Sequence, residues 1–166
     1  MSSQTTELPS DVAAHYPFIA KRKWLSCGFE MSYLDEGEGH PVIMVHGNPT
    51  WSFFYRDVVQ TLKGNFRCIV PDHIGCGLSE KPKRGYRYTL DQRIRDLNEL
   101  VEYLGVDKFD LVVHDWGGAI GIGMALQRIS SLRRLAILNT AAFVDSRIPR
   151  SISVCRFPLL GKLIVQ

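Results

Sequence analysis

Short apolar runs of strand length alternate with segments of helical character along most of this sequence. Four of the runs are predicted strands, at residues 41–47, 66–72, 109–115 and 132–140. The first two have the character of strands that are buried on both faces. The segments with helix signals are residues 52–64, 89–105 and 117–129. Because neighbouring parallel strands need helical crossovers, this alternation predicts an α/β fold with a mostly parallel sheet and helices on both faces.

The helical segments also indicate where they begin and which face is apolar. In the first of them, Phe54, Val58 and Leu62 recur at helical spacing and indicate the apolar face. Thr89 and Gln92 form a capping-box pair at the start of the next helix. The apolar stripe of that helix is Leu90, Ile94, Leu97, Val101 and Leu104.

Three segments are expected along the chain. Residues 1–20 are polar and contain prolines, so we expect a loosely held N-terminal arm. Residues 21–142 form the N-terminal part of the core, which begins with a hairpin of two short strands on either side of Gly28. The last strand, 132–139, would form an open apolar edge, which complete proteins usually cover. The sequence therefore looks like the front portion of a longer chain, with a further segment beginning at residues 143–166.

Composition argues against several classes of function. The net charge of +3 is small, and the basic clusters at residues 21–23 and 81–84 lack interleaved aromatic side chains, which argues against a nucleic-acid partner. The four cysteines have no metal-ligand spacing, and no nucleotide-binding motif is complete. The first residues lack the pattern of a signal peptide, and no apolar run reaches membrane-spanning length. We expect a cytoplasmic protein with reduced cysteines and with no metal, cofactor or membrane span.

A carboxylate stands at the junction between the third apolar run and the glycine-rich segment after it. Residues 113–117 read V-H-D-W-G, which fits the strand-to-helix turn of a nucleophile elbow with Asp115 at the nucleophile position. The four glycines of residues 117–123 each cost about 1 kcal/mol relative to alanine inside a helix, so close packing must require them. A carboxylate can attack an sp3 carbon and form an alkyl ester, and the positive helix end favours its ionised form. The alternative is that Asp115 only caps the helix.

Three motifs together carry a resemblance to a known family. They are HGNPTW at residues 46–51, PDHIGCGLSEKP at residues 71–82 and HDWGGAIG at residues 114–121. They resemble the haloalkane dehalogenase family of α/β-hydrolases, in the group that also contains epoxide hydrolases. The resemblance implies the α/β-hydrolase fold, incomplete here because the last strands and most of the cap domain would lie downstream. It also implies that Asp115 is the nucleophile and that the cap begins at residues 143–166.

The resemblance assigns roles to the residues around this nucleophile. Asn48 and Trp116 would hold the halide through side-chain N–H groups, and their backbone N–H groups would stabilise a later oxyanion. Taken alone, Asn48 reads as a turn residue and Trp116 as a packing residue. Asn139 stands where one dehalogenase subfamily has a glutamate, so Asn48 and Asn139 together imply the third subfamily. Phe143 would line an apolar pocket at the start of the cap.

No histidine in this sequence is assigned as the general base. His46 and His114 are expected to make structural hydrogen bonds beside turns, and His73 receives no catalytic role. The resemblance places the catalytic histidine and its acid downstream, and neither is found here at the expected positions.

The predicted function is a hydrolase that releases halide and an alcohol from a small apolar substrate through an alkyl ester on Asp115. The motifs DHIGCG and NTAAF are also similar to β-lactone decarboxylases of long-chain olefin biosynthesis, so that activity is the alternative. An epoxide hydrolase or a non-catalytic ligand receptor is the second alternative. The partner of this chain would be the remainder of the same protein or further copies of it.

Overall fold

The computed structural model describes residues 8–140, in which six strands form one mixed sheet. The strands are β1 (Lys21–Trp24), β2 (Glu30–Glu36), β3 (His40–Val45), β4 (Phe66–Pro71), β5 (Phe109–His114) and β6 (Leu132–Leu138). Their order across the sheet is β1-β2-β4-β3-β5-β6. The neighbours from β4 to β6 pair in parallel, whereas β2 pairs antiparallel with both β1 and β4. The predicted α/β fold with a mostly parallel sheet is confirmed.

Helices follow β3, β4 and β5 as the sequence predicted, and a short helix that the sequence did not predict precedes β1. They are α1 (Ser10–Ala13), α2 (Arg56–Leu62), α3 (Leu90–Tyr103) and α4 (Trp116–Gln127), and a 3-10 turn at Ser52–Tyr55 leads into α2. At the start of α3, the Thr89 hydroxyl accepts a hydrogen bond from the Gln92 backbone N–H at 3.2 Å. The other half of the predicted capping box is wrong, because the Gln92 side chain donates to Asp96 at 2.8 Å instead.

The buried face of α2 differs from the predicted one. Phe54 and Val58 are each 40% exposed, whereas Tyr55 and Val59 lie in the core. Leu62, the third predicted residue, does pack against the core. Tyr55, Val59 and Leu62 have helical spacing just as Phe54, Val58 and Leu62 do, so spacing alone could not distinguish the two faces.

The core lies on both sides of the sheet, as the continuous apolar runs predict. In β3, Ile43 and Val45 pack with α3 and α4, while Val42 and Met44 pack on the opposite face with α2. Successive strand residues point to opposite faces, so a strand needs an unbroken apolar sequence when both faces are covered. Helices on both faces of the sheet are therefore confirmed.

The segment before β1 is packed at one anchoring residue. Tyr16 is buried, and its hydroxyl lies 2.5 Å from the Ser52 hydroxyl on the other side of the core. It also packs against the Trp51 ring, with 5.0 Å between the centroids. The expectation of a loosely held arm is therefore wrong at Tyr16, because an aromatic ring with a satisfied hydroxyl fills this part of the core.

Within the described part of the chain, β6 lies at the edge of the sheet and has β5 as its neighbour. Its apolar side chains are largely uncovered there, and Ile137 is 58% exposed. The predicted cap segment, residues 143–166, lies outside the described residues. No helix among residues 8–140 is long and apolar enough to cross a membrane.

Candidate active site

Asp115 occupies a sharp turn between β5 and α4. Its φ is 51° and its ψ is −130°, a backbone conformation that residues other than glycine rarely adopt. Its side chain makes no capping hydrogen bond to α4. The helix-cap alternative is therefore wrong, and the strained turn has the geometry expected of a nucleophile elbow.

Two glycines allow the chain to approach closely at this turn. A Cβ atom at Gly117 would lie 2.1 Å from the Val45 carbonyl oxygen of β3. A Cβ atom at Gly47 would lie 2.2 Å from the Asp115 Oδ1 atom. Neither position can carry a side chain without a shift of its neighbours. The predicted close packing of the elbow therefore has a physical basis in backbone contacts.

The loop after β3 holds one oxygen of the Asp115 carboxylate. The backbone N–H of Asn48 donates to Asp115 Oδ1 at 2.9 Å, although 67 residues separate the two in sequence. Among residues 8–140, the backbone N–H of Trp116 makes no such bond. One of the two backbone donors expected near the carboxylate is therefore in contact with it.

Cys76 fixes the orientation of the Asn48 side chain. Its thiol donates to the Asn48 Oδ1 atom at 3.7 Å. Burial raises the pKa of the Cys76 thiol, so the group stays protonated and remains a donor at neutral pH. Because the amide oxygen is occupied, the NH2 group of Asn48 is left to bind another acceptor.

Asn48 and Trp116 line one open cleft of about 360 Å³. The other residues that line it are Tyr88, Leu90 and Arg93. Trp116 is 54% exposed. The structure therefore brings the two predicted halide-binding residues to the same cleft, beside the elbow that carries Asp115. Phe143, the predicted pocket residue, lies outside the described residues.

A buried pair of histidines joins the loop after β3 to the loop after β4. The backbone N–H of His73 donates to His46 Nε2 at 3.0 Å, and His46 Nδ1 donates to the Gly47 carbonyl at 2.7 Å. The His73 ring donates from Nε2 to the His46 carbonyl at 3.1 Å. Burial lowers the pKa of His46 to about 4 and that of His73 well below its usual value. Both rings are neutral, and the predicted structural role of His46 is confirmed.

His114 behaves differently from the prediction. Its Nδ1 atom is buried and has no hydrogen-bond partner among residues 8–140. The ring instead stacks on Phe54, with 4.3 Å between the centroids. The predicted structural hydrogen bond is therefore wrong at Nδ1, and aromatic packing holds this ring beside the elbow.

Asp72 organises this edge of the sheet, and sequence reasoning missed it. Its Oδ1 atom accepts from the Ser52 N–H at 2.7 Å, and its Oδ2 atom accepts from the Leu78 N–H at 2.8 Å. Burial raises the pKa of this carboxyl to about 6. Asp72 directly follows β4 just as Asp115 follows β5, and this position was the signal that could have revealed it.

No group of three His, Cys, Asp or Glu side chains among residues 8–140 could hold a metal ion. The arrangement offers a carboxylate on a strained turn, a backbone donor to one of its oxygens and a cleft with side-chain donors. Such a site can carry out nucleophilic displacement with a carboxylate.

Comparison with known proteins places these features in a family. The family model described as the alpha/beta hydrolase fold matches residues 40–153. A cis-3-alkyl-4-alkyloxetan-2-one decarboxylase from Shewanella oneidensis is 52% identical over 152 residues, which cover 88% of this chain and 48% of that protein. A haloalkane dehalogenase 2 from Mycobacterium bovis is 42% identical over 126 residues, which cover 75% of this chain and 43% of that protein.

A solved structure supports the same assignment. The structure of the epoxide hydrolase CorEH without ligand has a TM-score of 0.75 at 28% identity, with 89% of this chain and 55% of that chain covered. The chain spans about half the length of the curated relatives it matches. These relatives are enzymes, and the matched family model covers most of the sheet and the elbow. The chain belongs to the alpha/beta hydrolase fold family.

Proposed function

We propose that the whole protein is an enzyme in which Asp115 attacks an sp3 carbon of a small apolar substrate and expels an anion. The observation that supports this most is the Asp115 carboxylate itself, held on a positive-φ turn with the Asn48 N–H on Oδ1. Within the described part of the chain, Oδ2 accepts no hydrogen bond. That oxygen is the nucleophile, and Asn48 and Trp116 face the leaving anion across the cleft.

The favoured substrate is a β-lactone with alkyl substituents. The supporting observation is the 52% identity to an oxetan-2-one decarboxylase, against 42% to a haloalkane dehalogenase. Asp115 Oδ2 forms a bond to the ring carbon that carries the ring oxygen, and the bond between that carbon and the ring oxygen breaks. The electron pair goes to the ring oxygen and gives a free carboxylate and an alkyl ester on Asp115.

The ester can then collapse without water. The bond from the substrate carboxylate to its neighbouring carbon breaks and releases carbon dioxide. Its electron pair forms a carbon–carbon double bond and expels the Asp115 carboxylate. The sum is one lactone converted to one alkene and one carbon dioxide, and Asp115 returns to its starting state.

Haloalkane dehalogenation is the second candidate. The Asn48 amide and the Trp116 indole are two N–H donors in one cleft, which suits a spherical halide. The ester on Asp115 would then need water, activated by a histidine and an acid from elsewhere in the whole protein. This chemistry uses the same nucleophile, so product analysis must separate the two reactions.

The test measures products from the whole protein with a cis-3,4-dialkyl oxetan-2-one, a 1-bromoalkane and an epoxide. Carbon dioxide and an alkene identify lactone decarboxylation, halide and an alcohol identify dehalogenation, and a diol identifies epoxide hydrolysis. We expect carbon dioxide and alkene from wild type and from Asp107→Asn, an exposed loop control, and none from Asp115→Asn. Equal turnover by Asp115→Asn would overturn the proposal. Ligand binding by both proteins without any turnover would favour a receptor.

A further inference from the structure

Among the described residues that line the cleft beside the elbow, Arg93 alone is charged. Arg93 projects from the first turns of α3 and shares the cleft with Asn48 and Trp116. Its guanidinium lies 5.8 Å from the centroid of the Tyr88 ring, at the outer limit of a cation–π contact. The guanidinium gives this wall of the cleft a positive charge.

The hydrogen-bonding capacity of this guanidinium is not used up by the protein. Its Nη1 atom is buried and has no hydrogen-bond partner among residues 8–140. No carboxylate of those residues lies within 4.0 Å of Arg93. The Cys76 sulfur lies within hydrogen-bonding range of the guanidinium, which lowers the pKa of the thiol. Burial has the larger, opposite effect on that pKa and keeps the thiol protonated, so Cys76 does not neutralise the charge of Arg93. The positive charge that Arg93 brings to the cleft is therefore left without a carboxylate counter-ion among residues 8–140.

Arg95, on the same helix, shows what an ordinary surface arginine does here. It is exposed and pairs with Asp91 one turn earlier, and it also donates to Gln92 at 3.1 Å. Arg93 makes neither kind of bond, although it is the less exposed of the two. Arg93 therefore has no acceptor on its own helix, and its side chain lines the cleft.

A halide and a carboxylate make different demands on such a cleft. A halide is a sphere that the two N–H groups of Asn48 and Trp116 can satisfy. A carboxylate has two oxygen atoms with about four acceptor sites, and a guanidinium matches them with two parallel N–H bonds. The added donors of Arg93 therefore favour a leaving group that is a carboxylate.

We propose that Arg93 binds the carboxylate that forms when Asp115 opens a β-lactone ring, and so selects lactones over haloalkanes. The inference rests on the proposed nucleophilic role of Asp115. As the bond between the ring oxygen and the ring carbon breaks, negative charge develops on that oxygen, and the guanidinium stabilises it. Arg93 therefore lowers the barrier to ring opening and leaves halide departure to Asn48 and Trp116.

The test compares Arg93→Met, Arg93→Lys and the matched control Arg95→Met in the whole protein. We expect Arg93→Met to lower kcat/KM for a cis-3,4-dialkyl oxetan-2-one about 100-fold, with partial recovery in Arg93→Lys. Halide release from a 1-bromoalkane, where it occurs, should change less than about threefold, because two other donors serve that ion. Equal losses for both substrates, or no loss for the lactone, would overturn the inference.

A binding measurement separates this inference from the proposed function. Octanoate is a carboxylate with an alkyl tail, and its binding by isothermal titration calorimetry needs no turnover. We expect Arg93→Met to weaken octanoate binding about tenfold relative to wild type and Arg95→Met. If no substrate is turned over but octanoate binding still depends on Arg93, the proposed function fails and the carboxylate site stands. If octanoate binds all variants equally, the site itself is refuted.

Discussion

Substitution of Gly117 by alanine tests whether the elbow depends on close backbone packing. The added Cβ would lie 2.1 Å from the Val45 carbonyl oxygen and 2.8 Å from the His46 carbonyl oxygen, where ordinary contact is 3.4–4 Å. Both neighbours are backbone atoms of the sheet edge, so neither can rotate away. Overpacking of this kind costs up to about 3 kcal/mol, and alanine recovers about 1 kcal/mol of helix propensity. The net loss should be about 2 kcal/mol.

Urea denaturation measures this loss directly. With a slope of about 2 kcal/mol per molar, the midpoint should fall by about 1 M in Gly117→Ala. Gly64→Ala is the matched control, because nothing lies within 4 Å of a Cβ at that exposed position and its φ is ordinary. Its midpoint should be unchanged or slightly higher, since alanine restricts the unfolded chain. Equal midpoints for the two variants would refute the packing argument.

Two further predictions concern stability. Thr89→Ala removes the side-chain cap of α3 and should cost about 1 kcal/mol by urea denaturation. Thr61→Ala in α2 is the control, because the Thr61 hydroxyl bonds only the Asp57 carbonyl one turn earlier, and this change should be neutral or slightly stabilising. A larger loss of stability in Thr61→Ala than in Thr89→Ala would contradict the capping role of Thr89. The second prediction concerns pH. Burial lowers the pKa of His46 from 6.5 to about 4, so between these pH values the unfolded chain binds a proton that the folded chain does not. About 3 kcal/mol of folding stability is therefore lost as the pH falls from 6.5 through 4. The raised pKa of Asp72 has the opposite effect and increases folding stability as the pH falls from 6 to 4. The lowered pKa of His73 decreases folding stability, as that of His46 does. Unfolding free energy measured from pH 7 to pH 4 should therefore fall, and a rise would contradict these burial effects.

The positions of the buried strands along the chain were predictable because burial on both faces leaves a direct mark in the sequence. Residues 41–45 of β3 are all apolar, and residues 42–45 divide evenly between the two core clusters. The elbow was also predictable, because the strand, Asp115 and the glycines all lie within the short stretch of residues 109–123. The face of α2 was not predictable, because Tyr55, Val59 and Leu62 have the same helical spacing as Phe54, Val58 and Leu62, and only the fold decides which set is buried.

The surroundings of the site depend on contacts that spacing along the chain does not encode. Asn48 was placed by resemblance, and the structure shows its backbone bound to Asp115. Cys76 and Arg93 were missed because one comes from the loop after β4 and the other from α3. Only the folding of these elements to one edge of the sheet brings them to Asn48. The role of a residue that belongs to no sequence motif can be inferred only once the structure shows which residues surround it.

The central claim is that the Asp115 carboxylate forms a covalent bond to substrate carbon. Rapid acid quench of the whole protein with a β-lactone or a chloroalkane probe, followed by peptide mass spectrometry, tests it directly. We predict a mass increase equal to the bound substrate fragment on the peptide that contains Asp115, and no increase in Asp115→Asn. Turnover without label on that peptide, or label on another residue with activity retained in Asp115→Asn, would contradict the account.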